Sequence, residues 1–259
     1  MTRIKPTFFA LLSALVFGAF LAVPATAQTQ TVQPKPRVYG YISNWQIPRA
    51  HWAEMDSSEA SDNAIMDKAM TDGTLIGYGS DVNLVHTPDG WTHDDWFMAN
   101  SMGDLMKVLE QFYTRETPPV LLTATKHYDL VLTSRYYNWK PGASYKNGIV
   151  SVSQYKLKSS DQDNALDEIS GEIVAPLLEK LVADGTILEY EIDTQAVHTS
   201  APGMFWIIYV VQDPADIDKV EDAIRADIKA APITGATFDS LTVAKGHRDE
   251  LGLGTGKFK

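Results

Sequence analysis

Cysteine is absent from all 259 residues. That excludes disulfide staples, a thiolate metal site and a cysteine nucleophile. Basic residues are scarce: 22 Lys and Arg stand against 33 Asp and Glu, a formal charge of −11 that loss of Arg3 and Lys5 would take to −13. Nucleic acids and anionic membranes attract basic surfaces, so neither is expected as a partner. The G-x-S-x-G, H-E-x-x-H and Rossmann glycine fingerprints are all missing. The run Gly252-Leu253-Gly254-Thr255-Gly256-Lys257 superficially resembles a phosphate loop, but only Phe258 and Lys259 follow it. No helix N-terminus can therefore hold a phosphate there, and residues 252–259 read as a flexible tail.

One apolar run stands out, from Phe8 to Val23, preceded by Arg3 and Lys5 and followed by Pro24 and Ala25-Thr26-Ala27. A basic head, a short apolar stretch and an A-x-A site make a signal peptide over residues 1–27, with a linker over 28–36. The run is short for a membrane span. A periplasmic or secreted location is expected, with no membrane association after cleavage. Without disulfides the exported part must rely on its core, which a composition of 44% hydrophobic residues can supply.

That part carries an internal repeat. Asp72-Gly73-Thr74 recurs as Asp184-Gly185-Thr186, and holding the same offset pairs Tyr78 with Tyr190, Asp81 with Asp193, and His86-Thr87 with His198-Thr199. It also places Lys107-Val108 on Lys219-Val220 and Val38 on Val150. Each copy then helps to read the other. Val38–Ile42 and Ile149–Ser153 read as opening strands. Leu166, Ile169, Ile173, Leu177 and Leu181 recur at helical steps, and Gly185, like Gly73, suits a left-handed C-cap. Strands follow through Tyr190–Val197 and Met204–Val211, with Trp96-Phe97-Met98 in the matching strand of copy one. A second helix starts at Asp213-Pro214 in one copy and Ser101–Asp104 in the other. Its buried stripe is Leu105, Val108, Leu109 and Phe112 in copy one and Ile217, Val220, Ile224 and Ile228 in copy two. Closing strands are expected near Asp129–Tyr136 and Asp239–Lys245.

Strand, helix, strand, strand, helix, strand is the ferredoxin-like order. The predicted fold class is α+β: two βαββαβ repeats, residues 37–143 and 144–251, whose antiparallel sheets pack face to face as a pseudo-dimeric α/β barrel. In element order and duplication, from about Arg37 to Leu251, the chain resembles the dimeric α/β-barrel superfamily fused into one polypeptide. That superfamily includes antibiotic-biosynthesis monooxygenases, EthD-like and stress-responsive A/B-barrel proteins, NIPSNAP and chlorite-dismutase-like haem proteins. The resemblance implies a small-molecule barrel and carries no residue role with it. Because the duplication supplies a partner within the chain, a monomer is expected. The cofactor stays unassigned.

His86 and His198 are candidate catalytic bases or ligands, as repeat-related residues at strand ends; the alternative is a packed ring at a turn. Alternation puts Tyr78, Ser80, Val82, Leu84 and His86 on one face and Gly79, Asp81, Asn83 and Val85 on the other. Tyr190 and His198 repeat the first face. An apolar wall with a few polar groups suits a ligand pocket and an ordinary core alike. Arg135 is a candidate anion anchor, and Tyr136, Trp96, Tyr78 and Tyr190 complete the candidate ligand-binding set. His93-Asp94-Asp95 has metal-ligand chemistry, but three adjacent side chains cannot all face one ion, so it reads as a solvated loop and no metal site is assigned. Two readings remain. One is a non-catalytic protein holding a small apolar or aromatic molecule between its sheets. The other is a small-molecule enzyme, monooxygenase- or isomerase-like, with His86 or His198 in acid–base chemistry.

Overall fold

The computed structural model describes residues 31–87, 90–158 and 162–259. The expected signal peptide therefore lies outside the described residues. In the first repeat, β1 (Val38–Gln46) leads to α1 (Trp52–Asp72), then β2 (Gly77–Asn83), β3 (His93–Ala99), α2 (Met102–Tyr113) and β4 (Lys126–Trp139). The second repeat runs through β5 (Ser144–Lys156), α3 (Gln162–Asp167), a π-helical stretch Glu168–Val174 and α4 (Ala175–Asp184). It continues with β6 (Glu189–Val197), β7 (Met204–Val211), α5 (Ala215–Ala230), α6 (Pro232–Leu241) and β8 (Arg248–Phe258). The predicted order is present in both copies, with α6 added to the second.

The local signals act as anticipated at several ends. Gly73 and Gly185 end α1 and α4 with φ of 82° and 85°, a conformation that costs any residue with a Cβ. Ser101 caps α2, its Oγ accepting from the Asp104 backbone N–H at 3.1 Å. Asp213 Oδ1 likewise accepts from the Ala215 N–H at 2.9 Å ahead of α5. On α2, Leu105, Val108 and Leu109 are buried, as read from the sequence. On α5 the stripe narrows: Val220 is buried, but Ile224 and Ile228 are exposed.

Each repeat forms a four-stranded antiparallel sheet, in orders β4-β1-β3-β2 and β8-β5-β7-β6. Their edges join: β2 pairs with β8 and β4 with β6, closing an eight-stranded barrel. Among the described residues, closure leaves no strand of this sheet without a partner on either side. Helices cover the outer faces, over one core cluster around Tyr41, Leu75, Phe97 and Leu105 and another around Ile169, Tyr190, Phe205 and Val220. The strands thus have one face toward the helices outside and the other toward the lumen inside. A third cluster, with Val38, Met98, Tyr145, Val210 and Phe258, closes one end of the lumen as a floor.

Two expectations fail at the C-terminus. The residues read as a flexible tail are most of β8, hydrogen-bonded between β2 and β5 in the barrel wall. The closing strand expected near Asp239–Lys245 is instead the end of α6 and the loop after it. The glycines concealed the strand. Gly252, Gly254 and Gly256 occupy its lumen face, while Leu251 and Leu253 face the helices. Glycine in a strand marks a close approach: a Cβ on Gly254 would collide with Asp81 Oδ1, and one on Gly256 would lie 2.7 Å from the Tyr145 ring.

Candidate binding site in the barrel lumen

Alternation along β2 and β6 decides what reaches the lumen. Tyr78 and Tyr190 turn outward to the helices, where their hydroxyls donate to Asp67 on α1 and Glu179 on α4, each at 2.8 Å. The intervening residues turn inward: Asp81 from β2, and Glu189, Glu191 and Asp193 from β6. Asp94 on β3 joins them. The result is a cavity of about 260 Å³ inside the barrel, lined by six carboxylates (Asp81, Asp94, Glu189, Glu191, Asp193 and Glu250) and one basic residue, Arg248. Trp91, Trp96, Trp206, Tyr128 and Tyr145 supply aromatic wall. Arg248, Ser200 and Tyr128 are exposed and mark the mouth, opposite the apolar floor.

The acids are held in two ways. Near the mouth, Glu250 accepts from Trp91 Nε1 at 2.5 Å and lies 3.3 Å from Arg248. Deeper in, carboxyls meet carboxyls. Burial, then the charges of Asp81, Asp95 and Glu250, push Asp94 well above the usual carboxylate range, and a hydrogen bond with Asp81 adds to the shift. Glu189 is raised by burial and by Asp81 and Asp193. Glu191 is raised by burial, then by Asp193 and Glu189 and by a hydrogen bond with Asp193. Asp193 is pushed up to about 7 by burial, with hydrogen bonds from Ser134 and Glu191 pulling it back. An isolated buried charge is costly, so burial and the neighbouring acids favour the protonated forms of these groups beyond the usual carboxylate range. Burial and the surrounding acids raise Tyr145 as well.

Two buried polar atoms on the lumen wall have no hydrogen-bond partner: Asn44 Nδ2 and Glu189 Oε2, on residues only 3% exposed. Leaving such atoms unsatisfied costs about 1–3 kcal/mol each.

Of the sequence-derived candidates, Trp96 lines the lumen. Tyr78 and Tyr190 tie strands to helices. Tyr136 is buried on the helix side, its hydroxyl donating to Asp167 at 3.1 Å, and Asp167 also lies 3.8 Å from the Arg135 guanidinium. His86 is exposed beyond β2, its ring set edge-on to Trp52 at 5.1 Å, and His198 is exposed in the loop after β6. The structure does not bring the two histidines into the lumen. Nor is His93-Asp94-Asp95 a solvated loop: it opens β3, with His93 and Asp94 buried on opposite faces. Among the described residues, no group of three His, Asp or Glu side chains is arranged to hold a metal ion.

The more apolar face of β2 and β6, which by sequence suits a pocket wall and an ordinary core alike, packs on the helices, and the acids on the other face line the lumen. A usable signal existed. Asp81 and Asp193 are identical at the repeat offset, and Glu189, Glu191 and Asp193 alternate with apolar residues along one strand.

No protein-family model matches the chain, and no curated protein sequence does. Solved structures do. A monooxygenase candidate from Lactobacillus acidophilus aligns with a TM-score of 0.58 at 13% identity, over 85% of this chain and 94% of that one. One from Fusobacterium nucleatum aligns at 0.56 and 9% identity, over 87% and 94%. An anthrone oxidase-like protein aligns at 0.54 and 11% identity, over 86% and 94%. The chain thus has the dimeric α/β-barrel fold in its fused two-repeat form.

Proposed function

We propose that this is an exported, monomeric binding protein that holds a small organic molecule in the barrel lumen, between its two sheets. The observation that carries the reading is the lumen itself: a cavity of about 260 Å³, open at its mouth, with aromatic walls and unpartnered Asn44 Nδ2 and Glu189 Oε2. Small-molecule sites combine apolar enclosure with a few placed polar groups in this way, and the volume suits a small ligand rather than a drug-sized one. The lining does not suit haem: no histidine is among its residues, and its acids would repel the propionates. The single-chain barrel leaves no edge for a second copy to complete.

Gly40 provides the test, since a Cβ there meets nothing within 4 Å. Gly40→Leu should place its side chain in the cavity from a position where the Cβ has room. Small molecules released on denaturing the purified protein are compared by mass spectrometry with those from the variant. One organic species, stoichiometric in the parent and lost in Gly40→Leu, is the expected result. Identical contents in the two proteins would count against the lumen.

A second reading is favoured by Asp193, pushed up to about 7. A carboxyl poised there can give or take a proton at neutral pH, so acid–base catalysis would run through the lumen acids rather than through His86 or His198.

A further inference from the structure

We infer that the molecule the lumen takes is a small organic ammonium ion, held by the deep carboxylates and by aromatic ring faces. The inference rests on the lumen being the binding site and adds the charge and chemical class of its occupant.

Charge balance is the first support. Among the described residues, Arg248 is the sole basic one lining the cavity, and it is engaged with Glu250 at the mouth, 3.3 Å away. Asp94, Glu189 and Glu191 lie deeper, and the charges that act on them are those of other carboxyls. Clustered buried acids are an expensive use of a core unless something cationic sits among them. Glu189 Oε2 is the independent sign: a buried carboxyl oxygen with no hydrogen-bond partner, on a cavity-lining side chain 97% removed from solvent.

The aromatic lining is the second support. Trp91, Trp96, Trp206, Tyr128 and Tyr145 surround the same space. Ring faces attract cations by their quadrupole, and the attraction strengthens once water is excluded. Carboxylates alone would suit a metal ion, but among the described residues no three ligand side chains are arranged for one. Carboxylates interleaved with tryptophan and tyrosine suit a cation that also has apolar surface. Asn44 Nδ2, a donor lacking an acceptor, adds that the molecule bears an oxygen or similar acceptor.

Binding has a further consequence. Burial and neighbouring acids raise Asp94, Glu189 and Glu191, and Asp193 to about 7, so a cation entering among them favours their ionised forms and releases protons.

The test uses the purified full-length chain and two probes of the same shape, choline and its neutral isostere 3,3-dimethylbutan-1-ol, by isothermal titration calorimetry at about pH 7.5. Choline is expected to bind at least about tenfold more tightly than the isostere, a difference of about 1.4 kcal/mol. The heat should vary with buffer ionisation enthalpy as protons are released. Glu189→Gln and, as a second variant, Asp193→Asn should each weaken choline and leave the isostere unchanged. Gly40→Leu should abolish binding of both. Equal binding of the two probes overturns the cation inference while leaving the lumen as the site. Choline binding that survives Gly40→Leu overturns it as well, because the cation then sits elsewhere. Binding of neither probe at millimolar concentration also overturns it, and the mass-spectrometric comparison then decides the lumen reading separately.

Discussion

Asp81 on β2 and Asp94 on β3 are direct cross-strand partners, and both carboxyls turn into the closed lumen. Like charges directly opposite destabilise a strand pair, so the pair is tolerable only if a proton is shared, which the raised Asp94 reflects.

This arrangement fixes the sign of the pH dependence of stability. Unfolded carboxyls titrate near about 4. Asp94, Glu189 and Glu191 titrate well above that in the folded chain, and Asp193 at about 7. Between those limits the folded state holds protons that the unfolded chain has released. Stability from these groups is therefore fully present below about pH 4 and is lost as pH rises through the folded values. Asp67, Asp104 and Asp184, lowered by hydrogen bonds with Lys257, Lys107 and Thr186 respectively, act oppositely, but only at more acid pH. Thermal melts should show Tm falling by several degrees from about pH 5 to about pH 8, at roughly 3 °C per kcal/mol for a chain of this size. Glu191→Gln should flatten the slope. A Tm that rises over that interval would remove the protonated-lumen description.

The glycines of β8 give a prediction with an internal control. A Cβ on Gly254 would collide with Asp81 Oδ1 and lie 2.9 Å from Val150, whereas one on Gly252 meets nothing closer than 3.6 Å. Gly254→Ala should destabilise by about 1–3 kcal/mol, as overpacking does, and Gly252→Ala by far less. Urea denaturation of both variants checks this. Equal effects would mean that the lumen wall yields where it is drawn tight.

The repeat-related tyrosines separate scaffold from site. Tyr78→Phe removes the bond to Asp67, which keeps its contact with Lys257, and Tyr190→Phe removes the bond to Glu179, which keeps Asn138. Each should cost about 1 kcal/mol of stability. Neither should alter lumen binding, since both hydroxyls lie on the helix side of the wall. Loss of binding in either variant, with stability intact, would restore the outward face as the functional one.

The repeat offset made most of the architecture legible, because duplication shows a weakly patterned segment a second time. Gly73 and Gly185, Ser101, and the Leu105–Val108–Leu109 stripe all do what their chemistry suggests. Which strand face would hold the site was not legible. Alternation assigned Tyr78 and Asp81 to opposite faces correctly, but an apolar face and an acidic face normally mean core and solvent. In a closed barrel they mean helix layer and lumen, and closure arises from the pairing of β2 with β8 and β4 with β6. No local pattern announces those pairings.

The strand hidden at the C-terminus carries the last prediction. Residues 252–258 pair with β2 on one side, as in Gly77 with Phe258 and Asp81 with Gly254, and with β5 on the other, as in Val150 with Gly252 and Ser144 with Lys257. Phe258 is 3% exposed and stacks on Trp139 at 4.8 Å and on Trp96 at 5.5 Å, closing the lumen floor. Removing residues 252–259 would open the barrel between β2 and β5, free two rows of backbone hydrogen-bonding groups and expose the floor aromatics. A flexible tail could be removed silently, but a wall strand cannot. The truncated chain should lose its cooperative thermal transition and aggregate or bind a hydrophobic dye. The point variant Phe258→Ala should keep the fold and lose about 3–5 kcal/mol, the usual cost of deleting a buried phenylalanine ring. Circular dichroism and chemical denaturation distinguish these outcomes. A truncated chain that melts like the parent would show that the barrel closes without β8.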